Sequence, residues 1–440
     1  MRGTVLRPNT RALQQKIWQL AWPLMLSNIT QPLLGLVDTA LLGHLPSQVY
    51  IGACALGASI LTLVFWGFGF LRMGTTSQVA QALGEDNAAA GEKAFAQNCL
   101  LALCLALIIM MLGPSLLPIV ITTMSASAEV SNLALNYSQT RLWSAPATLL
   151  NYAFLGWFIG RQLTKLPLIV LLMTNAANIG FDLLFITYWD FRSQGAAWAS
   201  VLSEYLGLVV ALALYLHHKP KLSLRLIRKQ PNDWRSVLTL NQHLFVRTCC
   251  LMFVLLFFTS QGAQFSDTVL ATNAILLQLV HLASYALDGL AHAAEALTGQ
   301  AKGQKRADKL WQLLLNTSYT SAFVAIGIGV CFWLSKSNLI PLFSDIEVVS
   351  RTVENYFFWC AILPAVSVGA YVLDGYCIGA GETKAMRNSL LFSCLVVFLP
   401  LWWITSPLGN HGLWLAFTLF NLTRGLTLAY LVIPPLRSQL

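Results

Sequence analysis

Apolar runs recur along the whole of this 440-residue chain, each close to the ~20 residues that an α-helix needs to cross the hydrocarbon core of a bilayer. They lie near 17–43, 51–72, 94–121, 130–160, 164–188, 195–217, 241–268, 270–298, 310–335, 350–379, 385–405 and 411–434. This predicts about twelve spans. Lipid offers no partner to a loose backbone N–H or C=O, so a spanning segment must be a helix or a strand of a closed barrel. Barrel strands are short and alternate polar with apolar residues, whereas these runs are long and continuously apolar, which selects helices. Only 10% of the residues are charged, against about 25% in ordinary soluble domains, and the mean hydropathy is +0.64.

The net charge of +9 is a topology signal rather than a nucleic-acid footprint, because of where the cations fall. Lys and Arg cluster in Arg2 to Lys16, Lys219 to Arg235 and Lys302 to Lys309, and at Arg161, Lys165, Lys384 and Arg387. With twelve spans, all of these lie on one side, and residues 43–50 and 122–136 on the other side are nearly free of them. The positive-inside rule then places both termini in the cytoplasm. The first apolar run is too long for a cleavable signal peptide and lacks an early small-residue cleavage site. The nine cysteines lie mostly within spans at no metal-ligand spacing and read as small apolar packing residues. No phosphate-cradling Gly-Lys-Ser/Thr loop, nucleophile elbow or His-Glu-x-x-His pair occurs, which argues against ATP-driven or hydrolytic chemistry.

The longest polar stretch, residues 219–239, is basic and divides the chain into two sets of six spans, 1–218 and 240–440. The halves echo each other. Gly156-Trp-Phe-Ile-Gly160 followed by Thr164-Lys165 parallels Gly375-Tyr-Cys-Ile-Gly379 followed by Thr383-Lys384, and Asp38-Thr39 is matched by Asp267-Thr268. Six spans per half give equivalent helices the same orientation, hence a parallel repeat about the membrane normal. Secondary transporters commonly use such repeats, with the substrate path between them.

Titratable side chains at membrane depth are costly and mark ion or substrate paths. Asp38 lies in the first span, within Ser27 to Leu45, with Pro32 six residues before it and Gly35 one turn before it. The proline removes a backbone hydrogen bond and makes that helix bendable. In span five, Asn175, Asn178 and Asp182 fall on one helix face. Two carboxylates sharing a pocket do not both ionise cheaply, so Asp38 with Asp182 is a place to hold a proton. Span eight carries a second stripe, His281, Tyr285, Asp288, His292 and Glu295, suited to lining a cavity, with Glu295 at the cytoplasmic interface. Arg141 and Arg424 lie deeper in the membrane and call for acidic partners. Arg247, near the expected start of span seven, is placed to snorkel. Asp374 lies just before Gly379, where a structural bond is expected.

As a set, Pro32-Leu-Leu-Gly-Leu-Val-Asp-Thr-Ala, Gly43-His-Leu, Leu71-Arg-Met-Gly-Thr-Thr, Trp143-Ser-Ala-Pro-Ala, Asn178-Ile-Gly-Phe-Asp182, Tyr285-Ala-Leu-Asp-Gly, Thr298-Gly-Gln-Ala and Leu373-Asp-Gly resemble the multidrug and toxic compound extrusion (MATE) transporters, in particular their DinF-like branch. The resemblance covers nearly all twelve spans. It implies an all-α polytopic membrane protein with two pseudo-symmetric six-helix bundles forming a V. It also implies export of organic cations and other amphipathic toxins in exchange for protons or sodium. The family's proton or cation site maps onto Asp38, Asn178 and Asp182, with Tyr137 and Ser200 as further matches, and Na+ is an alternative ion for the first three. The family's bending first helix maps onto Pro32 and Gly35. Asp267 and Asp374 match helices that carry a sodium site in the NorM-like branch.

The resulting expectation is a monomeric, multi-pass antiporter of a bacterial inner membrane, not an enzyme. It has no cofactor beyond H+ or Na+ and no nucleic-acid partner. Its partners are the lipid bilayer and small cationic or amphipathic substrates. Asn151, Asn175, His281, Tyr285, Asp288 and Asp374 are the candidates for lining the cavity, while Tyr152 and Trp157 are available for stacking on a cation or for packing. Two rival readings are a lipid-linked precursor flippase of the same superfamily, which requires a strongly basic cavity, and a polytopic membrane enzyme, which requires catalytic acids on large outer loops.

Overall fold

A computed structural model describes residues 10–43, 48–124, 127–218, 231–343 and 346–440, apart from the side chains of 10, 31–40, 42, 43, 48 and 231–233. Most of the basic segment expected at 219–239 therefore lies outside the described residues. The described chain is built of helices: α1 (Thr10–Gly43), α2 (Gln48–Gly67), α3 (Phe70–Gly84), α4 (Ala88–Thr122), α5 (Ala128–Leu142), α6 (Ala145–Gly160), α7 (Lys165–Asp182), α8 (Arg192–His217), α9 (Pro231–Phe265), α10 (Asp267–Gly303), α11 (Ala307–Leu334), α12 (Lys336–Phe343), α13 (Glu347–Ala380), α14 (Thr383–Phe392), α15 (Leu399–Thr405) and α16 (Asn410–Arg437). Among the described residues, ten segments are long and apolar enough to cross a membrane. The other two expected spans correspond to the 34-residue α1 and to the α5–α6 segment, which turns at Trp143–Ser144 just ahead of Pro146. Large apolar side chains stand out from the surface, with Phe323 79% and Trp403 80% exposed. Water would penalise that surface, whereas lipid is its natural solvent. The chain is a multi-pass membrane protein.

The residues pack into two compact units, Ile29–Asn241 and Met1–Asn28 with Gln242–Leu440. In the first unit, α6 lies on α3 through a small-residue seam. A methyl group at Gly156 would come 2.5 Å from the Arg72 carbonyl oxygen, and one at Gly160 would come 3.0 Å from that of Thr76. The start of α9 joins this unit at Asn241, whose amide donates to Asn98 Oδ1 at 3.1 Å, while Asn98 donates to Gln78 at 2.8 Å.

The second unit repeats the seam with the other copy of the motif. A methyl at Gly375 of α13 would meet the Ala291 carbonyl of α10 at 2.5 Å, and one at Gly379 would meet that of Glu295. The Gly-x-x-x-Gly repeat visible in the sequence thus marks one close backbone approach in each unit, the usual use of small residues in membrane helix pairs. In the second unit Asn273 and Asn410 exchange amide bonds of 2.8 and 2.9 Å, and the Trp414 indole donates to Asn273 at 2.9 Å. These bonds tie α10 to α16.

Two boundaries differ from the sequence expectation. Helix α9 ends at Phe265 and α10 begins at Asp267, capped by the Ser266 hydroxyl. Asp267 is therefore an exposed first-turn acid at a helix start, favourable to the helix dipole, and not an intramembrane counterpart of Asp38. Helix α9 also begins at Pro231 rather than near 241, which places Arg247 well inside a helix.

The seam predicts a specific sensitivity. Gly375→Ala should lower stability by about 1–3 kcal/mol, because the Ala291 backbone must move away. Gly327→Ala on α11, which would meet nothing within 4 Å, should be neutral or slightly stabilising. Thermal unfolding in detergent checks both. Equal effects of the two substitutions would mean that the seam is not tightly packed.

Candidate functional site

In the unit Ile29–Asn241, α7 carries Asn175, Asn178 and Asp182 along one side, and Asp182 is its last residue before a π-helical turn, Leu183–Tyr188. π turns interrupt a helix at some cost and recur at functional sites. Asn178 and Asp182 are both fully buried. With its nitrogen facing Asp182, the Asn178 amide donates to Asp182 Oδ2 at 3.3 Å and accepts the Ser200 backbone N–H at 3.2 Å. One amide thereby joins the acid of α7 to the backbone of α8. Tyr137 of α5 is buried among Cys54, Ile186, Ala196 and Ala197, with Gly57 of α2 close against its ring. Asn175 donates to the Thr30 carbonyl at 3.4 Å, linking α7 to the later part of α1. Asp38, Pro32 and Gly35 lie on α1, and their side chains are outside the described residues.

Two further carboxylates sit in this unit, and neither stood out in the sequence. Glu92, near the start of α4, is buried; it accepts the Trp157 indole N–H at 3.2 Å and the Tyr215 hydroxyl at 2.6 Å. This explains Trp157 as a hydrogen-bonded packing residue, with Phe95, Phe154 and Tyr215 against it. Glu204 of α8 accepts the Asn151 amide at 3.3 Å. Arg141, expected to have an acidic partner, donates to the Ser144 hydroxyl at 3.4 Å and acts on Glu204 at longer range.

The unit Met1–Asn28 with Gln242–Leu440 resolves the other charges. Asp374 of α13 is 4% exposed. Its Oδ2 lies 2.5 Å from Arg247 Nη2 of α9 and also accepts Nη2 of Arg424 of α16. The structural bond expected for Asp374 and the partner expected for Arg424 are thus one cluster. Arg247, expected to snorkel, is buried in it, because α9 starts earlier than its apolar run. The Arg424 guanidinium also lies 5.7 Å over the Tyr371 ring, and the Tyr371 hydroxyl is 2.6 Å from that of Ser284. Along α10, His281 is exposed, Tyr285, Asp288 and His292 are half-buried and Glu295 is buried. Asp288 exerts its field on Tyr285, Tyr371 and Arg247. Asn28 of α1 donates to the Tyr285 carbonyl at 3.3 Å. Among the described residues, no group of three His, Cys, Asp or Glu is placed to hold a metal ion.

The profile of one protein family, MatE, matches residues 23–184 and 244–404, one stretch in each half. The chain belongs to the MatE family. Members of the family are multidrug and toxic-compound transporters, so the protein is a transporter and not an enzyme. It is 37% identical over 420 residues to DNA damage-inducible protein F of Escherichia coli K12, covering 94% of this chain and 90% of that one. It is 22% identical over 444 residues to the probable multidrug resistance protein NorM of Pasteurella multocida, covering 97% and 94%. In fold it is similar to a crystal structure of MATE in the bent conformation, with a TM-score of 0.89, 18% identity and 98% of each chain covered.

The arginine cluster carries a stability prediction. Asp374→Asn leaves two arginines facing each other away from water, and should cost about 3–5 kcal/mol. The unfolding temperature in detergent should fall accordingly. An unchanged temperature would show that the arginines find other partners.

Proposed function

We propose that this MatE transporter exports organic cations and amphipathic compounds across a bacterial inner membrane in exchange for protons, with both termini in the cytoplasm and a single chain as the working unit. Asp182 and Asp38 bind the proton, and Asn178 orients Asp182. Tyr137 and Ser200 complete the site, and Pro32 and Gly35 let α1 bend as the acids change charge. The bundles 1–218 and 240–440, joined by the basic segment 219–239, are the parts that alternate. Asn151, Asn175, His281, Tyr285 and Asp288 are the polar groups available to a substrate.

One observation carries this reading: the fully buried Asp182 is tied by the Asn178 amide to the backbone of α8. An amide that presents N–H to one neighbour and C=O to another responds to the charge on that carboxylate, because its donor is strongly attracted to an anion and weakly to an acid. Protonation of Asp182 therefore loosens the α7–α8 link, at the point where the π turn already weakens α7. The deep cations of the other unit, Arg247 and Arg424, are engaged by Asp374, which weighs against a basic pocket for a lipid pyrophosphate.

The test uses protein in sodium-free liposomes with an imposed pH gradient and a fluorescent organic cation. Wild type should move the dye against its gradient, and Asp38→Asn and Asp182→Asn should fall to the level of empty liposomes. Full activity in Asp182→Asn would remove that carboxylate from the mechanism. Movement that requires added sodium would keep the antiport and replace the ion.

A further inference from the structure

Helix α8 shows one face to lipid, marked by the exposed Trp198, Leu202, Val209, Leu212 and Leu216. Its inner face carries Ser200 and, one turn on, Glu204. Glu204 is half-buried. Its Oε2 accepts the Asn151 Nδ2 N–H at 3.3 Å, and its main-chain oxygen takes the same amide at 3.2 Å. The Thr148 hydroxyl, one turn before Asn151 on α6, is buried and has no hydrogen-bond partner. No cation within salt-bridge distance neutralises Glu204 among the described residues, which is unlike the treatment of Asp374.

Other titratable and charged groups lie around this carboxylate. Arg141 of α5 and Tyr152 of α6 lie near enough to interact with its charge, and Tyr152 also feels Arg72 of α3. Helix α7 contributes Asp182 beyond the Asn178–Ser200 link. Helix α2 contributes Tyr50 and Cys54 only at the Arg192 end of α8, and Tyr188 of the π turn is exposed. Tyr205, the titratable neighbour on α8 itself, is turned outward and bonds the Trp143 carbonyl.

Asn151 supplies the second observation. It is 7% exposed, and its Oδ1 has no hydrogen-bond partner. A buried amide oxygen left open is uncommon and calls for an explanation. Nδ2 donates to Glu204 Oε2 whether that oxygen belongs to a carboxylate or is the carbonyl oxygen of the acid, and Oδ1 stays open to a proton donor. The pair is built to satisfy both protonation states.

We propose that Glu204, with Asn151 and Thr148, is a second proton-holding carboxylate, one helical turn from the Ser200–Asn178–Asp182 link and on its His217 side. The step is a bare proton transfer. One O–H bond forms on the Glu204 carboxylate as one breaks on the hydronium ion that delivers it, and the reverse occurs on release. The site extends the proton path from Asp182 along α8 towards the end where Glu92 meets Tyr215. It rests on the proton-coupled reading given above.

The test is pH-difference infrared spectroscopy of the full chain in sodium-free liposomes, which reads carboxylic-acid C=O bands directly and needs no substrate. Wild type and Asp182→Asn should both show a titrating band that disappears in Glu204→Gln. In Asn151→Ala the same band should move to higher frequency, since its carbonyl loses a donor, whereas Asn175→Ala should leave it in place. Superimposable spectra for wild type and Glu204→Gln would overturn the inference while leaving the Asp182 band to report on the wider reading. If neither Glu204→Gln nor Asp182→Asn removes a carboxyl band, both readings fall.

Discussion

A carboxylate held at membrane depth must be paired, hydrogen-bonded or protonated, because hydrocarbon offers it nothing. The two units meet this constraint in different ways. In the unit containing α10, α13 and α16, Asp374 is locked between two guanidinium groups. Such a cluster is costly to break and has little reason to exchange its charge for a passing ion. In the unit Ile29–Asn241, the donors seen at three acids are neutral: the Asn178 amide at Asp182, the Asn151 amide at Glu204, and an indole and a phenol at Glu92. A neutral donor tolerates both the charged and the protonated acid. The chemistry of each unit follows from that choice of partner.

The scaffold holds these groups in place through close backbone contact. Both glycine pairs, on α6 and on α13, bring helix axes together where any Cβ would collide with a carbonyl. Such contacts fix the rotation of each helix about its axis, and rotation decides which side chains face inward. Glu92, Asn151 and Trp157 depend on the first seam; Asp374 and Tyr371 depend on the second. Directly after Asp182 the regular ladder of α7 is interrupted instead, by the π turn, and another π turn, Ser393–Phe398, follows α14 in the other half.

The helical architecture and the seams were legible in the sequence, since span-length apolar runs and a repeated Gly-x-x-x-Gly are local patterns. The Asn178–Asp182 pair was legible for the same reason, as a polar face on one helix. Partners on different helices were not. Glu204 is one turn from Ser200 on an inner face, a signal present in the sequence, but its bond to Asn151 spans two helices. Arg247 was misread because the apolar run starts later than the helix does, so a deep residue looked interfacial. Asp267 was misread because its span ends two residues before it, and the Ser266 cap begins the next helix with no glycine or proline between the two helices to mark the boundary. The break between α5 and α6 was signalled only by Pro146.

The most direct test of proton coupling is thermodynamic. The reversal potential for a monovalent organic cation would be measured in liposomes containing the wild-type protein, as the pH difference is varied without sodium. The account predicts a reversal potential that moves in proportion to the pH difference and ignores an imposed sodium gradient. A reversal potential that follows sodium and stays fixed as pH changes would contradict it.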